Sequence, residues 1–115
     1  MSNFQTKNYK SPLDERTLEF GKRIIRLCRK LPKNAIAIEP LKQVMRSGCS
    51  VGANYREAND ALSKKDFAFR MWISRKEAKE TMYWLELLIE LVPSFKMKLI
   101  RLCKKHTNLL KYYRQ

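Results

Sequence analysis

Residues 47–57, Ser-Gly-Cys-Ser-Val-Gly-Ala-Asn-Tyr-Arg-Glu, bring Ser50, Asn54 and Glu57 together at helical steps beside Gly48 and Gly52. Further along stand Lys76, Glu77 and Glu80, and the single histidine is His106. Paired glycines can cradle a phosphate, clustered carboxylates with a histidine can hold a metal, and an Asn–Glu pair one turn apart can pin helix register. The phosphate loop is excluded, because no G-x-x-x-x-G-K-[ST] and no preceding strand accompany the glycines. A di-iron site in a helical bundle wants Glu-x-x-His on two helices, and the residue three before His106 is Cys103. Acyl transfer lacks its parts, since no Ser or Cys comes with an identifiable base. The chain is therefore expected to be no enzyme, with no catalytic residue, cofactor or metal.

What remains for these residues is structural. Gly48 and Gly52 form a G-x-x-x-G pair on one helix face, and each costs about 1 kcal/mol against alanine in a helix interior. Close approach of another helix would offset that. Ser74, Ala78 and Thr81 form a small-residue seam, so a tight crossing between the second and third helices is expected. Asn54, Glu57, Lys76, Glu77 and Glu80 read as a buried or interfacial polar network, tolerable only when every group is satisfied. His106, on an apolar stripe, reads as a hydrogen-bonded core residue.

Four helices position these groups, at about residues 12–31, 40–60, 64–92 and 94–113. The first has Ser11 as N-cap, Pro12 at the first helical position and Asp14 and Glu15 in its first turn. Its apolar face is Phe20, Ile24, Leu27 and Leu31, and Pro32 ends it. Pro40 opens the second, with Leu41, Val44, Gly48, Val51, Tyr55 and Ala58 on one side. Ser63 caps the third, with Asp66 three residues on as a capping-box variant. Its stripe is Phe67, Met71, Ser74, Ala78, Thr81, Leu85, Leu88 and Val92, widened by Ile73, Trp84, Leu87 and Leu91. Pro93 stops it, and Ser94 caps a fourth helix facing inward through Phe95, Leu99, Leu102, His106, Leu109 and Tyr113. No segment alternates as a strand does. The fold class is all-α, an antiparallel up-down four-helix bundle in one domain, with residues 1–10 as a loose tail.

Charge supplies the functional signal. The chain has 25 Lys and Arg against 11 Asp and Glu, a net charge of +14. Residues 1–38 carry nine cations against three acids, residues 39–90 nine against eight, and residues 91–115 seven against none. The excess sits on the end helices: Lys22, Arg23, Arg26, Arg29, Lys30 and Lys33 on the first, and Lys96, Lys98, Arg101, Lys104, Lys105, Lys111 and Arg114 on the last. If those helices adjoin, they form one broad patch suited to phosphates with weak sequence preference. Nucleic acid is the expected partner. No apolar run approaches a membrane span, and the first residues show no secretory h-region, so the expected compartment is the cytoplasm. Cys28, Cys49 and Cys103 are odd in number and lack metal-ligand spacing, and read as small hydrophobes.

The segment from Ser47 to Leu88 resembles the bacterial family of 23S rRNA-intervening sequence proteins. The matching residues are Ser50, Val51, Asn54 and Glu57; Ser63, Lys64, Asp66 and Phe67; Lys76, Glu77, Glu80 and Thr81; then Tyr83, Trp84, Leu85, Leu87 and Leu88. The sequence departs from the commoner pattern at Cys49, Trp72 and Arg75, the last two being expected at a subunit boundary. The resemblance implies a compact four-helix bundle assembling into a ring-like homopentamer, with Gly48, Gly52 and the motif residues as structural or interface positions. A related branch, the accessory variability determinant of diversity-generating retroelements, is a basic pentamer that binds nucleic acid and a reverse transcriptase. The partners so implied are further copies of the chain, RNA or other nucleic acid, and a reverse transcriptase.

Overall fold

The computed structural model describes residues 12–113, all of whose regular elements are helical. The expected tail and the Ser11 cap lie outside the described residues, as does Arg114. Helix α1 spans Pro12–Lys30 and buries Leu13, Thr17, Phe20, Ile24, Leu27 and Cys28 along one face. Its C-terminal carbonyls are closed by Lys33, whose Nζ donates to the carbonyls of Cys28 (2.9 Å) and Leu31 (3.1 Å).

Asn34 turns the chain: its Oδ1 accepts from the amides of Ile36 (3.0 Å) and Ala37 (2.9 Å). Helix α2 follows at Ile38–Asn59, two residues earlier than Pro40 suggests. First-turn amides have no intrahelical partner in any helix, so a proline there removes nothing and need not mark the first residue. Helix α3 spans Lys64–Leu91, and Ser63 Oγ accepts from the Asp66 amide at 3.0 Å, as the capping pattern expects. The Asp66 carboxylate itself pairs with Arg70 at 3.5 Å. A 3-10 turn at Pro93–Phe95 leads into α4, Lys96–Leu110; the expected Ser94 cap is not formed, because Ser94 lies inside the turn and Phe95 takes the N-cap position of the helix. A second 3-10 turn, Lys111–Tyr113, closes the chain as described.

Contacts run in opposite order along each neighbouring pair, which makes the pairs antiparallel. Between α1 and α2, Asp14 meets Arg56 and Ile24 meets Gly48. Between α2 and α3, Ser47 meets Thr81, and Val51 meets Ser74. Between α1 and α4 with its closing turn, Phe20 packs at a 38° tilt against His106 with ring centroids 5.0 Å apart, and Arg16 lies over Tyr112. Four helices thus enclose one apolar core of which Ile24, Val44, Val51, Leu85, Leu88 and Leu99 are fully buried.

The glycine pair faces a different helix from the one expected. A Cβ on Gly48 would meet Ile24, and one on Gly52 would meet Thr17 Oγ1 at 3.2 Å, so the glycines make room for α1, while the expected close packing of α2 on α3 is present without them. The small seam of α3 still meets α2, through polar atoms. Ser74 Oγ donates to the Val51 carbonyl at 2.8 Å, and the Thr81 hydroxyl lies 2.8 Å from both Ser47 Oγ and the Glu77 carbonyl. Since the single Ser74 proton is committed to Val51, the Tyr113 hydroxyl must donate to Ser74 Oγ, 2.5 Å away.

Two further expectations are corrected. Phe67 is 43% exposed, although it lies on the apolar stripe of α3. Tyr113 pairs with Ser74, so the described part of α4 and its closing turn ends there and the first turns of α3 project beyond it. His106 is in the core, but among the described residues neither ring nitrogen has a partner at hydrogen-bond geometry, the Ala78 backbone standing only near enough to act on its charge. Burial pushes its pKa down to about 4, with the Ala78 backbone acting too weakly in the other direction.

Candidate functional site

The apolar faces of α1 and α4 determine where their charges stand. With Leu27 buried between the two helices, residues at steps of three and four beside it line its edge, and these are Arg23, Arg26 and Lys30. Around Leu102 the same spacing places Lys98, Arg101 and Lys105. Because α1 and α4 are antiparallel neighbours, the two rows face each other across a groove of about 230 Å³ floored by Leu27 and Leu102. The α1–α4 adjacency on which a single patch depended is present.

Not every expected cation belongs to it. Lys22, Arg29 and Lys104 are exposed but take no part in the lining, and Lys33 is occupied with the C-terminus of α1. Glu19, which sequence reasoning passed over, lies 3.3 Å from both Arg23 Nε and Arg26 Nη1, so two of the six groove cations share a carboxylate. Past Arg23 and Lys105 the groove opens into a hollow of about 560 Å³ with mixed charge, where Glu15, Arg16, Glu19 and Asn108 join them.

The motif residues gather elsewhere, on the α2–α3 surface. Asn54 Nδ2 donates to the Ser50 carbonyl of its own helix at 2.9 Å, and Ser50 Oγ donates to the Arg46 carbonyl at 2.7 Å. Glu57 lies 3.8 Å from Arg70, and Lys76 lies 3.9 Å from Glu77. The centre of the cluster is Arg46: Nη1 donates to Glu77 at 3.1 Å, and Nη2 donates to Glu80. Glu80 also accepts from the Trp84 indole at 3.1 Å; that bond, with Arg46 beside it, holds its carboxyl below the usual range. Tyr83 packs edge-on to Trp84 with centroids 5.3 Å apart, and is itself 55% exposed. The expected groups thus find partners, but in separate contacts instead of one network: Asn54 on its own helix, Glu57 with Arg70, and Lys76, Glu77 and Glu80 around Arg46, all at or near the surface of the single chain. Arg46 escaped notice because its partners are 31 and 34 residues away and no local pattern marks it.

Among the described residues no group of three or more His, Cys, Asp or Glu side chains is placed to hold a metal ion. Burial pushes the Cys28 thiol up to about 11, with Cys49 nearby acting the same way, and burial raises Cys49 and Cys103 as well. None of the three carries the lowered pKa of an activated thiolate. No described helix is long and apolar enough to cross a membrane.

Comparison with known proteins agrees with this architecture. The family model for 23S rRNA-intervening sequence proteins matches residues 13–113, and the chain belongs to that family. A crystal structure of a protein of unknown function from the S23 ribosomal protein family of Bacteroides thetaiotaomicron VPI-5482 is similar to it with a TM-score of 0.80. The two are 38% identical, over 88% of this chain and 94% of that one. No curated protein matches the chain.

Proposed function

We propose that this protein is a non-enzymatic, homo-oligomeric nucleic-acid-binding protein of the cytoplasm that holds RNA through the groove between α1 and α4. The observation that carries the reading is the convergence of Arg23, Arg26, Lys30, Lys98, Arg101 and Lys105 on one groove from opposite ends of the sequence. Six cations brought to one concave surface repel one another, and a polyanion relieves that repulsion while releasing its own counterions. Binding then weakens steeply with salt. An electrophoretic mobility titration with a structured RNA tests this, and absence of a complex at low salt would remove the reading.

Self-association is supported by a stripe on α3. Phe69 and Trp72 lie one turn apart and Tyr83 about three turns further along the same side, beyond Lys76 and Lys79; each of these aromatics is 55% exposed, and exposed aromatic rings are common anchors of interfaces. A ring-like homopentamer follows from the family resemblance, and light scattering measures it. The same stripe supports a second reading, an accessory subunit that packs on a protein partner such as a reverse transcriptase. That reading gains if the purified chain is monomeric until such a partner is added.

A further inference from the structure

We infer, building on the nucleic-acid reading above, that the α1–α4 groove takes the sugar–phosphate backbone of a base-paired duplex and leaves the bases unread. The lining consists of arginine, lysine and leucine side chains alone. The polar groups of the lining are all cationic donors, which suit phosphate oxygens, and the one carboxylate at its edge, Glu19, is already shared by Arg23 and Arg26, so the lining itself offers no acceptor for a hydrogen bond from the amino group of an adenine or cytosine. Arginine donors can read guanine through O6 and N7, but in a base-paired RNA those atoms lie in a deep, narrow groove that side chains do not enter, so a duplex held here by its backbone is held without being read.

The same lining disfavours a single strand. Proteins that hold single strands combine a basic groove with aromatic faces, each stacked base contributing about 1–3 kcal/mol. The aromatic rings nearest the groove leave little open to stacking. Phe20 is only 4% exposed, Tyr112, though 37% exposed, has one face occupied by the Arg16 guanidinium 4.4 Å from its centroid, and Phe95 has Lys98 Nζ 5.5 Å from its centroid. A single strand would present its bases to a surface that offers guanidinium planes but few open aromatic faces, the stronger stacking partners of such grooves. A duplex has already paired and stacked its bases and presents only backbone.

Geometry fits a backbone lying along the groove. Each cationic row covers about 10 Å of helix at 1.5 Å per residue, enough to follow several successive phosphates. The rows flank the strand from both sides, with Leu27 and Leu102 beneath the sugars. Duplex RNA and duplex DNA share the phosphate chemistry; they differ in helical form and in the 2′-hydroxyl, whose oxygen can accept from the arginine and lysine donors of the lining.

The experiment uses the intact chain with four fluorescent probes: a short RNA duplex, a scrambled RNA duplex, the DNA duplex of the first sequence, and single-stranded homopolymers of matched phosphate number. The two RNA duplexes are expected to bind about tenfold or more tightly than the homopolymers and within about twofold of each other. Arg26→Ala and Arg101→Ala, checked for folding by circular dichroism, are each expected to lower duplex affinity several-fold and to reduce the salt slope by about 1. A DNA duplex that binds like the RNA duplex assigns the site to duplexes in general; a much weaker one assigns it to duplex RNA. Homopolymers that bind as well as duplexes, or scrambled duplexes discriminated more than about tenfold, would overturn the inference while leaving nucleic-acid binding intact. Binding to none of the probes would overturn both.

Discussion

A Cβ on Gly48 would stand 2.9 Å from Cγ1 of Ile24 and 3.2 Å from its Cγ2. The obstructing atoms belong to the branch point of a stiff, fully buried side chain, so it has little freedom to withdraw. Gly48→Ala is expected to cost about 1–3 kcal/mol in overpacking, against a gain of about 1 kcal/mol in helix propensity. Gly21 makes the control, since nothing lies within 4 Å of an added Cβ there. Gly21→Ala should stabilise the protein by up to about 1 kcal/mol. Urea denaturation of both variants decides the matter, and a Gly48→Ala protein more stable than the parent would mean that helix approach is not what keeps this glycine.

The Tyr113–Ser74–Val51 chain of hydrogen bonds joins the closing turn to α3 and α2 inside the core. Tyr113→Phe is expected to cost about 1 kcal/mol, and Ser74→Ala about 1–3 kcal/mol because it also strands the buried tyrosine hydroxyl. The double variant should cost less than the two losses added together. Strictly additive thermal destabilisation would show that the two hydroxyls are not coupled.

His106 makes stability depend on pH. Burial holds its native pKa at about 4, below the ordinary value of 6.5, so between these values the unfolded chain binds the extra proton. Stability from this group is complete above about pH 6.5 and is lost as the pH falls towards 4, by about 3 kcal/mol in all. His106→Leu should remove that component. Comparing denaturant midpoints of parent and variant at neutral and mildly acidic pH isolates it from the carboxylates, which both proteins share.

Glu19 offers the most direct test of the groove by gain instead of loss. Its carboxylate lies 3.3 Å from both Arg23 and Arg26, and so competes with any phosphate for them. Glu19→Gln is expected to tighten RNA binding several-fold at low salt, with little change in stability because exposed pairs contribute about 1 kcal/mol or less. Fluorescence anisotropy measures it, and weaker binding would place the RNA elsewhere.

Much of the helical layout was legible because helices announce themselves locally. The stripe from Ser74 to Val92 on α3, the Ser63 cap and the stop at Pro93 all rest on spacing within a few turns. The start of α2 was misjudged because Pro40 is a strong signal and Asn34, which turns the chain, a weak one. Gly48 and Gly52 told of a close approach without telling of which neighbour, since two glycines fit any helix that comes near. Phe67 followed the right period, but whether a stripe is covered depends on where the next helix ends.

The charges divide in the same way. Sequence alone determined that α1 and α4 are basic and amphipathic, because composition and period are properties of a segment by itself. Only the tertiary structure selected Arg23, Arg26, Lys30, Lys98, Arg101 and Lys105 from the larger set, set Glu19 against two of them, and drew Arg46 to Glu77 and Glu80. Those choices follow from the rotation of each helix about its axis, which is fixed when the apolar faces meet and seal the core. A side chain's period states which residues share a face; packing against the other helices decides what that face sees.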